Sequence, residues 1–96
     1  SNLERGVTVV QFFNKIGVNV ASIGNHEFDF GFEPAHPKYS TDIRGSMKAR
    51  FTEAKYPYVA ANIYKKGTNI REEFPNTTPS QMFKVGNVKV GVIGLS

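Results

Sequence analysis

In the first quarter of the chain, the spacing of apolar residues is first that of a helix and then that of a buried strand. Apolar residues at three- and four-residue steps predict a helix over residues 3–16, with Asn2 as its cap and Gly17 as its stop. Its apolar face consists of Leu3, Val7, Val10 and Phe13. Residues 18–23 are mostly apolar and β-branched, which predicts a strand covered on both faces of a sheet.

A second helix and a second strand are predicted over residues 42–64. The helix should run from Asp42 to Lys55 and end before Pro57. Its apolar face carries Ile43, Met47, Phe51 and Ala54, and its candidate caps are Ser40, Thr41 and Asp42. Residues 58–64 form the second predicted strand. The order strand, loop, helix, strand is typical of a right-handed parallel crossover, so the fold class should be α/β.

Two segments show no regular pattern of hydrophobic residues, and a terminal hairpin follows the second of them. Residues 24–40 are predicted to form one long surface connection, and loops of that length are often functional. Residues 65–80 are polar and hold two prolines, which predicts a loop or an edge excursion. Residues 82–85 and 88–93 then flank Gly86-Asn87, which is typical of a tight β-hairpin.

The composition limits the size and class of the protein. Ninety-six residues, of which 40% are hydrophobic, correspond to one small domain or part of one, without a second domain. The absence of cysteine excludes disulfides, zinc fingers and thiol chemistry. The net charge of +4 is scattered along the chain, which disfavours a nucleic-acid polymer as partner. No apolar run approaches the roughly 18 residues of a membrane span, and residues 1–6 lack the order of a signal peptide.

The residues after the first predicted strand carry the candidate chemistry. Asn25, His26, Glu27 and Asp29 lie together between Gly24 and Gly31. Side chains at the carboxyl end of a strand border the binding crevice in layered α/β folds. The amide oxygen of Asn25 suits a hard divalent metal ion, and His26 can protonate a leaving alkoxide. Asp29 can orient the imidazole, and Glu27 can bond loop amides. By residue type alone, an ordinary turn with a solvated histidine is the favoured interpretation.

The whole string from Gly24 to Gly31 resembles a known signature. Gly-Asn-His-Glu is similar to the third block of the calcineurin-like metallophosphoesterases, and its extension Phe-Asp-Phe-Gly resembles the 5′-nucleotidase branch. Three further segments resemble that branch: residues 13–19, the Tyr-Pro-Tyr-Val-Ala-Ala-Asn-Ile string of residues 56–63, and residues 88–95. The resemblance covers most of the chain except residues 32–40 and about 65–80.

The resemblance implies a fold, a metal centre and a set of roles. The fold is part of a metallophosphoesterase-type two-sheet sandwich flanked by helices. The metal centre holds two divalent ions, of the zinc, manganese, cobalt or magnesium class. Asn25 matches a metal ligand, while His26 and Asp29 match the catalytic pair. The implied reaction is hydrolysis of a nucleotide or another phosphate ester, as in nucleotide catabolism. A periplasmic or secreted location is implied by the resemblance alone.

Blocks that the resemblance would require are absent from these 96 residues. The family places an Asp-x-His and a Gly-Asp block upstream, and a Gly-His-x-His block downstream. Residues 1–96 are therefore expected to be an internal fragment of a catalytic domain that is inactive alone, holds no metal firmly and self-associates through uncovered surfaces. The alternatives are a related phosphodiesterase or nucleotide-sugar hydrolase, or a non-catalytic scaffold module. His36 matches no block and is expected to be solvated.

Overall fold

The computed structural model describes residues 6–96, apart from the side chain of Asn25. Over this range the chain forms two α-helices, one 3₁₀ turn and five strands in two sheets, so the predicted α/β class is confirmed. The elements are α1 (Val7–Ile16), β1 (Ala21–Ser22), the 3₁₀ turn (Asn25–Phe28), α2 (Gly45–Glu53), β2 (Tyr58–Val59), β3 (Thr77–Thr78), β4 (Ser80–Val85) and β5 (Val88–Ile93). Within the described range, no helix is both long and apolar enough to cross a bilayer.

Helix α1 packs one face on the core and ends where the sequence predicts. Val10 is buried and Phe13 packs against the core cluster. Gly17 adopts the left-handed backbone, with φ of +77°, and its N–H donates to the carbonyl of Phe13 at 3.1 Å. A glycine reaches this conformation without strain, which explains the stop. The predicted cap Asn2 and the face residue Leu3 lie outside the described residues.

The larger sheet is parallel and has the order β1-β2-β3. Ala21 pairs with Tyr58, so β1 and β2 are joined by the predicted parallel crossover through α2. Residues 65–80 were predicted to be a loop or an edge excursion, and Thr77 and Thr78 form β3 at the edge of the sheet, on the other side of β2. The polar character of this segment concealed the strand, which relies on backbone bonds from Tyr58 to the Asn76 carbonyl and from Ala60 to the Thr78 carbonyl.

The strands of this sheet are shorter than the sequence predicts. Neither residues 18–23 nor residues 58–64 are strand throughout, since β1 and β2 contain two residues each. Beyond Ala60 the chain turns to the carboxyl-terminal segment, where the N–H of Ala61 donates to the Gly94 carbonyl at 2.8 Å. The side-chain amide of Asn62 then bonds both the N–H and the carbonyl of Ser96. These bonds divert the chain from the β2 ladder.

Helix α2 is shorter than predicted, and its start is held by a neighbouring loop. It begins at Gly45 without a side-chain cap, so residues 40–42 do not cap the helix itself, although Asp42 Oδ1 accepts the N–H of Arg44 at 2.8 Å in the turn before it. The Ser46 N–H instead donates to the Gly31 carbonyl at 2.9 Å, and the Ser46 hydroxyl donates to the Phe32 carbonyl at 2.7 Å. Ile43 precedes the first turn and is 72% exposed, contrary to prediction. The rest of the predicted apolar face, Met47, Phe51 and Ala54, is buried.

Asn76 fastens the end of α2 to the start of β3. Its backbone is left-handed, with φ of +55°, which asparagine tolerates better than most residues. Its Nδ2 group lies 3.0 Å from the carbonyl oxygen of Phe51, 3.4 Å from that of Ala54 and 2.8 Å from that of Tyr56. The carbonyl groups that end a helix lack partners within the helix. The Asn76 amide therefore serves the carbonyl groups of Phe51 and Ala54 at the helix end, together with that of Tyr56 beyond it.

The terminal hairpin is formed as predicted. Strands β4 and β5 pair antiparallel, Val85 opposes Val88, and Gly86 at the first loop position has φ of +60°. Several of the hairpin's large apolar side chains are exposed, namely Met82, Val85, Val88, Val90 and Ile93. Gly94 follows the hairpin and lies so close to Val59 that an added Cβ would overlap the Val59 carbonyl. This close approach joins the hairpin to the parallel sheet.

Candidate active site

The candidate residues lie on an ordered turn at the carboxyl end of β1. Ile23 is buried, and Gly24 is extended and leads directly into the 3₁₀ turn of Asn25–Phe28. The N–H of Asp29 closes the turn on the carbonyl of His26 at 3.1 Å. The start of the loop predicted over residues 24–40 thus has regular structure, which its mixed composition did not indicate. The predicted position after a sheet strand is confirmed.

His26 and Asp29 form a hydrogen-bonded pair on this turn. The Nδ1 atom of His26 lies 2.7 Å from Oδ2 of Asp29. A 3₁₀ turn has three residues per turn, so side chains three positions apart lie above one another. An ionised carboxylate can only accept, and Nδ1 is therefore the donor. This arrangement leaves Nε2 of His26 available to another group.

The pair is exposed, and its charges act on the imidazole. The side chain of His26 is 81% exposed and that of Asp29 is 53% exposed. The hydrogen bond that His26 donates to Asp29, followed by the negative charge of Asp29, raises the pKa of His26 above the ordinary 6.5, and Glu27 adds a smaller effect in the same direction. A raised pKa keeps a larger fraction of the imidazole protonated near neutral pH. The side chain is therefore suited to donate a proton.

The metal-binding part of the prediction has less structural support. The backbone of Asn25 lies in the 3₁₀ turn, but its side chain is outside what the structure describes. Among the described residues, no three His, Cys, Asp or Glu side chains come together in a way that could hold a metal ion. The assignment of Asn25 as a ligand stays a prediction.

A buried ion pair that sequence reasoning missed fixes the loop after the turn. Arg50 Nη2 lies 2.9 Å from Glu33 Oε2, and both residues are 8% exposed. Arg50 also approaches Glu53 at 2.9 Å. A buried charge requires such a partner. The available signal was the position of Arg50 between Met47 and Ala54 on the apolar face of α2, where a charged residue is unusual.

A cleft of about 220 Å³ lies beside His26. The 3₁₀ turn and its flank contribute His26, Glu27 and Phe30 to the lining. The other lining residues come from α1 and the preceding glycine, from α2 and from β2, namely Gly6, Val9, Val10, Met47, Arg50, Phe51 and Tyr58. Burial, followed by the hydrogen bond with Tyr56, raises the pKa of Tyr58 far above that of a free phenol. Tyr58 is therefore neutral at physiological pH.

His36 occupies a different environment from His26. Its ring stacks on Tyr39 at 4.6 Å between centroids, and its Nδ1 accepts the N–H of Lys38 at 3.2 Å. These local contacts account for the residue within its loop. The structure therefore brings His26 together with Asp29 and gives His36 a separate packing role.

Comparison with known proteins identifies relatives that are named 5′-nucleotidases. No protein-family model matches the chain. A snake venom 5′-nucleotidase from Gloydius brevicauda is 32% identical over 94% of this chain, and a 5′-nucleotidase from Homo sapiens is 31% identical over 94% of it. The chain spans only 13% and 14% of the lengths of these two relatives.

A solved structure extends the similarity to the fold. It is that of a protein from Staphylococcus aureus provisionally assigned as a 5′-nucleotidase, in complex with alpha-ketoglutarate. The TM-score is 0.59 with 29% identity, over 94% of this chain and 14% of that one. In sequence and in fold, the chain is therefore a 5′-nucleotidase-like segment that corresponds to about one seventh of these larger proteins.

Proposed function

We propose that residues 1–96 are an internal segment of the catalytic domain of a metal-dependent phosphohydrolase, of the 5′-nucleotidase type, which removes phosphate from nucleotides. The hydrogen-bonded pair of His26 and Asp29 at the end of a sheet strand carries this proposal. The similarity to named 5′-nucleotidases supports the same class of substrate. We also propose that the two sheets of this chain form part of a metallophosphoesterase-type sandwich.

The proposed chemistry of this segment is proton donation. Asp29 holds the Nδ1 hydrogen of His26 and favours the imidazolium form through its charge. Nε2 then donates its proton to the oxygen that leaves the phosphorus atom, or stabilises charge on the phosphoryl oxygens. A positioned acid of this kind contributes about 10²- to 10⁴-fold to a rate. Asp29 acts by orienting the imidazole and keeping it charged.

The metal requirement would be met largely by residues other than those described. The described residues do not assemble a metal site, and Asn25 offers one amide oxygen as a ligand. Two divalent ions, of the zinc, manganese, cobalt or magnesium class, supply an activated water and neutralise phosphoryl charge when bound to enzymes of this type. One amide oxygen holds no pair of cations, so the 96 residues alone should be inactive.

The test compares this chain with a longer protein expressed from the parent reading frame. The longer protein should hydrolyse a nucleoside monophosphate with manganese, cobalt or zinc present, while the 96-residue chain should show no turnover above background. A bis(aryl) phosphate diester and a nucleotide sugar serve as competing substrates. Preference for either one would replace the nucleotidase proposal. Lack of metal-dependent hydrolysis of all three by a folded longer protein would favour a non-catalytic scaffold.

A further inference from the structure

Arg44 connects the candidate turn to a distant part of the chain. Its guanidinium carbon lies 5.8 Å from the ring centre of Phe28 and 5.7 Å from that of Phe74. The two rings meet edge to face at 6.2 Å, and Arg44 Nη1 lies 3.2 Å from Glu72 Oε1. A cation within about 6 Å of an aromatic face is attracted to the ring. Arg44 therefore holds Phe28 against Phe74.

Phe28 is the last residue of the 3₁₀ turn and the direct neighbour of Asp29. The position of Phe28 consequently limits where the Asp29 backbone lies. Phe74 is buried and also packs edge to face on Phe51, so it provides a fixed wall. His26 and Asp29 are both exposed, and their own hydrogen bond is open to water. Such a bond persists in one geometry only if the backbone beneath it is fixed.

We propose that Arg44 is a positioning residue, which keeps Asp29 within hydrogen-bonding distance of His26 by clamping Phe28 against Phe74. The relevance of Arg44 to catalysis rests on the proposed function, whereas the contacts that form the clamp are independent of it. Glu72 anchors the guanidinium from the segment that leads into β3. The segment of residues 65–76 thereby supports a turn some 45 residues earlier in the chain.

The clamp can be measured without enzyme activity. The N–H of Asp29 bonds to the carbonyl of His26, so its hydrogen exchange in the 96-residue chain reports opening of the turn. Arg44→Ala should accelerate this exchange roughly two- to fivefold, the range expected from loss of an exposed cation–π contact. Arg44→Lys keeps the cation and should restore part of the protection. Lys84→Ala removes an exposed cation on the hairpin, away from the clamp, and should leave the exchange rate of Asp29 unchanged.

Comparison across amides separates the clamp from a general loss of stability. The N–H groups of Val18 and Ala54, which bond elsewhere, should keep their exchange rates in Arg44→Ala. Equal acceleration at all three amides, or none at Asp29, would overturn the proposal. If Arg44→Ala does not fold, Glu72→Gln releases only the anchor and should accelerate Asp29 exchange in the same direction. An unchanged Asp29 rate in that variant would also overturn it.

Kinetics on the longer protein then link the clamp to the reaction. Arg44→Ala should lower kcat several-fold and leave KM for the nucleotide unchanged, because Arg44 acts through Phe28 and Asp29 rather than on the substrate. A higher KM with unchanged kcat would contradict the positioning role. Failure of the proposed function would appear differently, as an inactive wild-type protein whose Asp29 exchange still responds to Arg44→Ala.

Discussion

The imidazole of His26 and the carboxylate of Asp29 lie 2.7 Å apart, three residues from each other on one 3₁₀ turn. In the longer protein, His26→Ala should lower kcat by roughly 10²- to 10⁴-fold while the bound metal content stays the same. Asp29→Asn should follow more mildly, because it alters the charge and orientation of the imidazole without removing it. Steady-state kinetics beside metal analysis measure both effects.

Asn25 should behave in the opposite way to His26. Asn25→Ala removes the proposed ligand oxygen, so the purified protein should contain less metal, and added metal should recover part of the activity. His26→Ala is the matched control, since excess metal should not rescue it. The roles assigned here are wrong if His26→Ala loses metal while Asn25→Ala keeps it.

The 96-residue chain should self-associate. Phe12 and Ile16 on α1 are 57% and 58% exposed, and Val85 and Val88 on the hairpin are 64% and 62% exposed. Apolar surface of this kind favours association, and the edges of the hairpin can pair with another strand. Light scattering across a concentration series should show a rising mean mass. Phe12→Gln and Val88→Thr, made separately, should show which surface dominates. A monomer at the highest concentration would refute the prediction.

Gly94 should be intolerant of any side chain. A Cβ at this position would overlap the Val59 carbonyl, so Gly94→Ala should lower the free energy of unfolding by about 1–3 kcal/mol, the usual cost of overpacking. Gly91→Ala is a matched control on the same segment, since its Cβ would lie 3.6 Å from Met82 in ordinary contact. Urea unfolding of the two variants measures the difference. Equal stability would show that the hairpin and the parallel sheet are not tightly joined.

The ion pair of Asp42 and Lys48 should contribute to stability in a pH-dependent way. Their side-chain atoms lie 2.6 Å apart, and the hydrogen bond from Lys48, followed by the Arg44 N–H, lowers the pKa of Asp42 below 3.8. A lowered folded-state pKa stabilises the protein above pH 3.8, and this stabilisation is lost as pH falls through the lowered value. Lys48→Met should therefore cost about 0.5 kcal/mol at pH 7 and almost nothing below the lowered pKa.

Urea unfolding at pH 7 and at the lowest pH at which the variants still fold tests this dependence. Lys66→Met controls for the loss of one positive charge, because Lys66 is exposed in the loop that follows β2. The control should show no comparable difference between the two pH values. A cost for Lys48→Met that is the same at both would assign its effect to packing of the lysine stem instead of to the ion pair.

Local patterns in the sequence were sufficient for some elements and insufficient for others. The end of α1 at Gly17 and the hairpin turn at Gly86 follow from conformational preferences of single residues, so both could be predicted. The hydrogen bond between His26 and Asp29 was also predictable, because it spans three residues. Strand β3 was not, since Thr77 and Thr78 become a strand only through the free edge of β2. The start of α2 was also mispredicted because it depends on a distant partner. The N–H of Ser46 in its first turn donates to the Gly31 carbonyl.

The hydrogen bonds of the Asn76 side chain also bear on covalent modification. Asn76, Thr77 and Thr78 match the acceptor pattern for an N-linked glycan, which would be attached through the same Nδ2 atom. A sugar there would replace one of the two hydrogens that serve the carbonyl groups of Phe51 and Tyr56, and would crowd the end of α2. An attached glycan and this packed arrangement are therefore incompatible, so a glycan could be added only to a chain that has not yet folded around Asn76.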